Sequence, residues 1–328
     1  TLVRLGKMFL LAEKDVQKAL SLQECLDVNR KALQAITDKT AFVPTRLGVP
    51  YPNNPNLATG SGSSTAAEDW TLIKPAAYYG PEGVSIGMKV VGVRADNPSR
   101  GLPLVPATIL LLDAASGIVQ ATLGGTYVTV ARTSAGPGLA VQAFKPDMEH
   151  LVVFGAGAQA ACHIEIMEVA IKRQIKRITI VNRSKERANA LKQKLFEDEE
   201  RKSSVEVVLL SDTEGLAAAL ADADVVSTTT NATDALWQDG IELKKGCLIT
   251  GIGSYTPKMK EVPEYVVNRS HVVIDTPETM SVGDLKHLGD YTSSTHPITL
   301  AGDALTDPGK IGQSTDYIFY KACGTAIQ

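Results

Sequence analysis

The chain has 328 residues, 44% of them hydrophobic and 21% charged, with 33 basic side chains against 36 acidic ones. This is the composition of a soluble globular protein. It excludes a disordered chain, a fibrous repeat and a small disulfide scaffold, and the length predicts about two domains. The slight acidic excess argues against a nucleic-acid partner, and no apolar run nears the ~20 residues of a membrane helix. The cysteines, Cys25, Cys162, Cys247 and Cys323, have no metal-ligand spacing, and no histidine pair supplies one. No metal site is therefore expected, and a reduced, cytoplasmic compartment is the simplest reading.

The first third reads as an α+β unit. Ser21 and Glu24 form a capping box, and Leu22, Leu26, Leu33 and Ile36 then give an apolar stripe at helical spacing. Pro50 to Asp69 is polar and rich in Asn, Gly and Ser, which predicts a surface loop. Apolar runs follow at Val84–Val93, Ala107–Leu112 and Ile118–Leu123, with turn signals at Asp96-Asn97-Pro98 and Ala115-Ser116-Gly117 between them. That pattern predicts a meandering, mostly antiparallel sheet.

After Thr133 the rhythm changes. Strand-like runs at 151–154, 178–181, 205–209, 225–227, 248–252 and 272–275 alternate with helical stretches, as in a buried parallel sheet. A domain boundary is expected near residue 130. The apolar end of the chain is expected to return to the first domain. Glu197 to Lys202 reads as a solvated helix end.

Leu151-Val152-Val153-Phe154-Gly155-Ala156-Gly157-Ala158-Gln159-Ala160 fits strand, then G-x-G-x-x-A, then helix. Gly155 allows the tight turn, Gly157 admits a pyrophosphate against the backbone, and Ala160 permits close helix–strand packing. The N–H groups opening that helix would face the phosphates. The next strand ends in Asn182-Arg183-Ser184, with Arg187 one turn on. An NAD site usually carries a carboxylate here. Arg183 and Ser184 suit a 2′-phosphate instead, so NADP(H) is expected over NAD(H). Thr228, Thr229 and Thr230 follow the fourth strand and Gly253 the fifth, where they would line the nicotinamide side.

Several segments together resemble the ornithine cyclodeaminase/mu-crystallin family over nearly the whole chain. They are Lys74-Pro75-Ala76-Ala77-Tyr78 ahead of a strand, Gly87-Met88-Lys89-Val90-Val91, and Asp96 to Pro103. Gly125 to Thr133, Gly253 to Glu261 and Tyr320 to Ala326 complete the set. The resemblance implies an α/β protein with a Rossmann-type domain over 131–307. It also implies an α+β substrate and dimerisation domain built from 1–130 and 308–328. It further implies a homodimer, a nicotinamide cofactor that Thr133 helps to hold, and a small imino or amino acid substrate.

The family's carboxylate-binding groups map onto Arg46, Lys89 and Arg132, and three such cations suit an α-carboxylate. Cyclodeaminases and archaeal alanine dehydrogenases carry an aspartate in the loop after the fifth strand. Here Tyr255 stands in its place, and the nearby carboxylates are Glu261 and Glu264. An imine needs only a hydride and a proton donor, for which Tyr255 and Lys89 are the candidate catalytic residues. The expectation is NADPH-dependent reduction of a cyclic 2-imino carboxylate. The alternatives are an NADP(H)-dependent ligand-binding protein like mu-crystallin, or a cyclodeaminase or amino-acid dehydrogenase variant lacking the aspartate.

Overall fold

The computed structural model describes residues 3–5, 8–51, 69–197 and 200–328, and within them the chain forms two units. The first comprises Thr1–Ser21, Asp38–Thr129 and Thr325–Gln328, and the second Leu22–Thr37 and Val130–Gly324. Most of the polar stretch after Pro50 lies outside the described residues, as do two residues of the charge run near 200.

In the first unit, β1 (Val3–Leu5) and β2 (Met8–Leu11) precede α1 (Glu13–Ala19). After α2 (Leu22–Thr37) come β3 (Ala41–Phe42), β4 (Leu47–Tyr51), β5 (Asp69–Gly80) and β6 (Gly83–Val93). The strands β7 (Ala107–Leu112) and β8 (Val119–Gly124) complete a sheet ordered β1-β2-β8-β7-β6-β5-β3, with β4 also on β5. All its pairs are antiparallel except β2 with β8. The segment Lys74–Tyr78, expected ahead of a strand, lies inside β5. Its proline falls between the residues paired with β4 (Asp69–Ile73) and those paired with β3 (Ala77, Tyr78), a gap in that edge of the ladder where a missing N–H is tolerated. The sheet leads into α3 (Thr126–Phe144). The Glu13 carboxylate accepts the Thr126 and Tyr127 N–H groups at the start of α3, placing negative charge at the positive helix end.

In the second unit, β9 (His150–Phe154), α4 (Ala158–Ile171), β10 (Arg177–Asn182), α5 (Lys185–Phe196), β11 (Ser204–Leu209) and α6 (Thr213–Asp222) alternate. Then come β12 (Val225–Thr228), β13 (Leu248–Gly251), α7 (Glu264–Asn268), β14 (Ser270–Ile274), β15 (Ile298–Leu300), α8 (Ala301–Thr306) and β16 (Tyr317–Lys321). The order is β11-β10-β9-β12-β13-β16-β14-β15, and every pair is parallel. Both faces of β9, β12 and β13 are buried, which explains their unbroken apolar runs. The order reverses at β9, whose neighbours are β10 and β12. In open α/β sheets ligands bind at such a switch point, beyond the strand's carboxyl end.

Two assignments differ from the sequence reading. The stretch 308–328 was expected with the first domain, but β16 lies between β13 and β14 in the second sheet, and only Thr325–Gln328 groups with the first unit. The helix α2, read as part of the first third, packs on α4 and α8 of the second unit. Its stripe is the expected one, with Leu26 and Leu33 buried.

His163 is buried on α4, its Nδ1–H donating to the Gln159 carbonyl at 2.7 Å. Burial pushes its pKa down from 6.5 to about 4. Within that window the unfolded chain binds a proton that the folded chain does not. The stabilisation present above pH 6.5 should therefore fall as pH drops towards 4, by about 3 kcal/mol from this residue. Denaturant unfolding at pH 7 and pH 4.5 measures the loss. The His163→Leu variant should lose less over the same interval, and an equal loss would remove His163 from the account.

Candidate active site

The turn after β9 is built on Gly155. Its φ is +107°, a left-handed conformation, and its N–H donates to the Val181 carbonyl at 2.9 Å. A Cβ there would sit 2.7 Å from Thr229 Oγ1. The side chain of Thr229 is itself tied to the Phe154 carbonyl at 2.7 Å. Glycine thus lets the first loop and the threonine loop meet. Gly157 caps α4 without any side-chain hydrogen bond, and a Cβ on it would meet nothing within 4 Å. Ala158 and Gln159 open the helix, while Ala160 is buried against the sheet. A glycine turn, a helix start free of side-chain caps and open space above it fit a dinucleotide pyrophosphate.

At the end of β10, Asn182 Nδ2 donates to the Ser184 carbonyl at 2.9 Å, and Arg183 and Arg187 are exposed. Ser184 is the N-cap of α5. Its Oγ accepts the Arg187 N–H at 3.2 Å and donates to Glu186 Oε2 at 2.7 Å. This modifies the sequence picture in two ways. The Ser184 hydroxyl already serves the helix, and Glu186 brings a carboxylate into a turn expected to have none. That carboxyl is held below its ordinary pKa by the serine hydrogen bond, so Glu186 opposes the two arginines for any phosphate bound here.

The loops after β12 and β13 converge on one side chain, Glu261. Its Oε2 accepts from Thr228 Oγ1 (2.9 Å), Gly253 N (2.8 Å) and Ser254 N (3.2 Å). Its Oε1 accepts from Thr230 N (2.7 Å) and Thr230 Oγ1 (2.8 Å). Glu261 is fully buried. Burial raises its pKa, and the charge of Lys321 opposes that shift. Asp284 Oδ1 accepts the Glu261 and Val262 N–H groups at 2.8 and 3.2 Å, and its Oδ2 pairs with Lys321 Nζ at 3.1 Å. The hydroxyls of Thr228, Thr229 and Thr230 are thereby committed to the protein. Sequence reasoning missed this cluster. The available signal was a charge set into apolar context, as in Tyr320-Lys321.

Tyr255 lies half-buried just beyond this clamp, and burial raises its phenol pKa. It stays protonated at neutral pH and can donate a hydrogen bond. Glu264, the other nearby carboxylate, is on the surface and faces Lys260 at 3.5 Å.

Arg132 is buried on α3, with Thr133 half-buried beside it. The Arg132 guanidinium lies against Gly324, where a Cβ would collide with Nη1. Gly324 has φ +73°, and its N–H donates to Asp275 Oδ2 at 2.7 Å. Asp275 also receives Cys323 N at 3.3 Å and the Thr279 hydroxyl. A buried aspartate therefore shapes the wall on which the guanidinium rests. Arg46 and Lys89 belong to the first unit, Arg132 and Tyr255 to the second. Arg46 is half-buried just before β4. Lys89 is buried on β6 and donates to Thr129 Oγ1 at 3.3 Å.

The sequence model of the ornithine cyclodeaminase/mu-crystallin family matches residues 12–328. The chain belongs to that family. It is 29% identical to an uncharacterized cyclodeaminase of Dictyostelium discoideum, across 98% of this chain and 93% of that protein. It is 28% identical to a Delta(1)-pyrroline-2-carboxylate reductase of Bacillus cereus, across 85% of this chain and 79% of that enzyme. The structure of the Thermococcus litoralis Delta(1)-pyrroline-2-carboxylate reductase, solved with NADH and L-proline, has the same fold. Its TM-score is 0.79 at 22% identity, over 98% of this chain and 93% of that one. Among the described residues of this family member, no group of acidic, His or Cys side chains could hold a metal, and no helix is long and apolar enough to cross a membrane.

Proposed function

We propose that this protein is an oxidoreductase that reduces the C=N bond of a cyclic 2-imino carboxylate, with NADPH preferred over NADH. The observation that carries the reading is the fate of the carboxylates beyond β13. A substrate with a free α-amino group needs an acidic partner there, but Glu261 is consumed by five internal donors and Glu264 is on the surface. What remains is Tyr255, a neutral hydrogen-bond donor, which suits an imine nitrogen. The pyrroline-2-carboxylate reductases among its relatives support the same reaction class.

When bound, the reduced nicotinamide supplies the hydride. Gly155, Gly157, Ala158, Gln159 and Ala160 would hold the pyrophosphate, Asn182, Arg183, Ser184 and Arg187 the adenosine ribose, and Thr133, Thr228–Thr230 and Gly253 the nicotinamide side. The imine carbon gains a hydride and the nitrogen a proton, giving the amino acid. The residues that the family resemblance assigns to binding and orienting the carboxylate are Arg46, Lys89 and Arg132. Tyr255 or Lys89 holds the proton at the imine nitrogen. Exposed apolar residues of the first unit, Phe42, Leu47, Val49, Tyr79 and Ile118, support the pairing of two copies that the family resemblance implies. A monomer in sedimentation would remove that part.

The test is absorbance loss of NADPH and of NADH with Δ1-pyrroline-2-carboxylate and Δ1-piperideine-2-carboxylate. NADPH-selective oxidation is the expected result. The Arg183→Ala variant should lose about tenfold or more of the NADPH preference, as a charge-assisted contact is removed, and Glu186→Gln should raise it. Turnover that favours NADH in wild type and in Arg183→Ala would overturn the cofactor assignment. Tight cofactor binding without turnover of either imine would overturn the reaction.

A further inference from the structure

The clamp around Glu261 holds more negative charge than positive. Glu261, Asp284 and Lys321 are all fully buried. Lys321 closes β16 beside Gly251, the last residue of β13, so the cluster sits at the carboxyl end of the parallel sheet. Each hydrogen bond described for the two carboxylates comes from a donor. Thr230 Oγ1 accepts the Ala232 N–H at 3.3 Å, which leaves its own hydrogen for Glu261. Asp284 takes two backbone N–H groups and faces the Lys321 ammonium. Donors gathered in this way favour the ionised form of both acids, and two anions then share one cation. Buried charge in excess is costly, and mechanical joining of two loops does not call for it.

The place of that charge gives it a use. Glu261 lies one hydrogen bond behind Thr228, Thr230 and Gly253, and a Cβ on Gly253 would collide with Glu261 Oε1. These loops line the nicotinamide side in the reading proposed above, on which this inference rests. The oxidised and reduced forms of a nicotinamide dinucleotide differ by one positive charge, carried on that ring. We propose that Glu261 and Asp284 bias a bound cofactor towards its oxidised form and so make the reduced form a stronger hydride donor. They act through the loops, without touching the cofactor. When the hydride and its electron pair pass to the imine carbon, the ring is left cationic. A fixed negative charge behind the ring stabilises that product and the transition state leading to it. Burial strengthens the effect and keeps salt from screening it.

Calorimetric titration with NADP+ and NADPH, and with NAD+ and NADH, gives the ratio of oxidised to reduced dissociation constants within each pair. Glu261→Gln should weaken binding of the oxidised form about 3- to 10-fold more than that of the reduced form, the scale of one unit charge acting across several ångströms of protein. A tenfold change in the ratio is about 30 mV in the potential of the bound two-electron couple. Asp284→Asn should shift the ratio the same way. It keeps an oxygen for the Glu261 and Val262 N–H groups, so it serves if the Gln variant folds poorly. Glu261→Asp keeps the charge but not the reach. Both forms should then bind more weakly, with the ratio of wild type. Equal weakening of both forms in the Gln and Asn variants would overturn the proposal and leave the clamp a mechanical joint. A ratio that shifts as far in Glu261→Asp as in Glu261→Gln would overturn it too. If wild type binds neither form of either cofactor, the cofactor reading fails and this inference falls with it.

Discussion

Replacing Arg132 with alanine should lower kcat/KM for a 2-imino carboxylate by about 100- to 1,000-fold. A guanidinium can hold a carboxylate through two parallel charge-assisted hydrogen bonds, each worth about 1.5–3 kcal/mol and not fully additive. Every 1.4 kcal/mol is roughly tenfold in rate. The protein fixes this side chain from several directions. Arg132 lies on α3, whose first turn is capped by Glu13, and its guanidinium rests on Gly324, which Asp275 holds through a 2.7 Å hydrogen bond. Arg132→Lys should recover little, because an ammonium cannot reproduce the fork. Gly324→Ala should act in the same direction, since its Cβ would displace Nη1 and its φ of +73° disfavours alanine. Steady-state kinetics with a parallel fluorescence titration of NADPH separates the effects. The cofactor Kd should hold within about twofold, as a uniform loss of substrate binding requires. An unchanged KM in Arg132→Ala would end its role as a carboxylate ligand.

The parallel half of the fold was legible because its strands are buried on both faces and read as unbroken apolar runs. The strands β9 to β14 fall within two residues of the runs that forecast them. The place of β16 was not legible. A parallel strand finds its neighbours through long crossovers, and nothing local in Tyr317–Lys321 says that it enters between β13 and β14. The stripe of α2 likewise announced a helix without naming what it packs against. In the site, the glycine turn carried a backbone requirement and so could be read directly. Ser184 could be read as a phosphate ligand or as a helix cap, and the structure uses its hydroxyl as a cap. Glu261 sits between a lysine and a valine in a polar loop, and sequence alone does not distinguish a solvated carboxylate from one gathering five donors.

Glu261→Leu should be among the most destabilising single substitutions in the second unit, costing about 3–5 kcal/mol. Removing one member of a buried charged network leaves its partners uncompensated. Here Thr230, Gly253 and Ser254 would lose the acceptor for their buried or half-buried N–H groups, and the buried Lys321 would lose a nearby compensating charge while keeping its ion pair with Asp284. Glu261→Gln separates charge from shape. Its amide oxygen can serve one side of the clamp, and its NH2 must face the other. With the oxygen towards Gly253 and Ser254, the Thr230 hydroxyl can turn to accept, and one backbone donor, Thr230 N–H, is left unpaired. The expected cost is about 1–3 kcal/mol. Because the clamp joins the loops after β12 and β13, the Gln variant should also bind NADPH about tenfold more weakly while remaining folded. Denaturant unfolding gives the first quantity and fluorescence titration the second. A Gln variant with wild-type stability and wild-type NADPH affinity would mean that each loop holds its shape unaided, and Glu261 would then be packing rather than positioning.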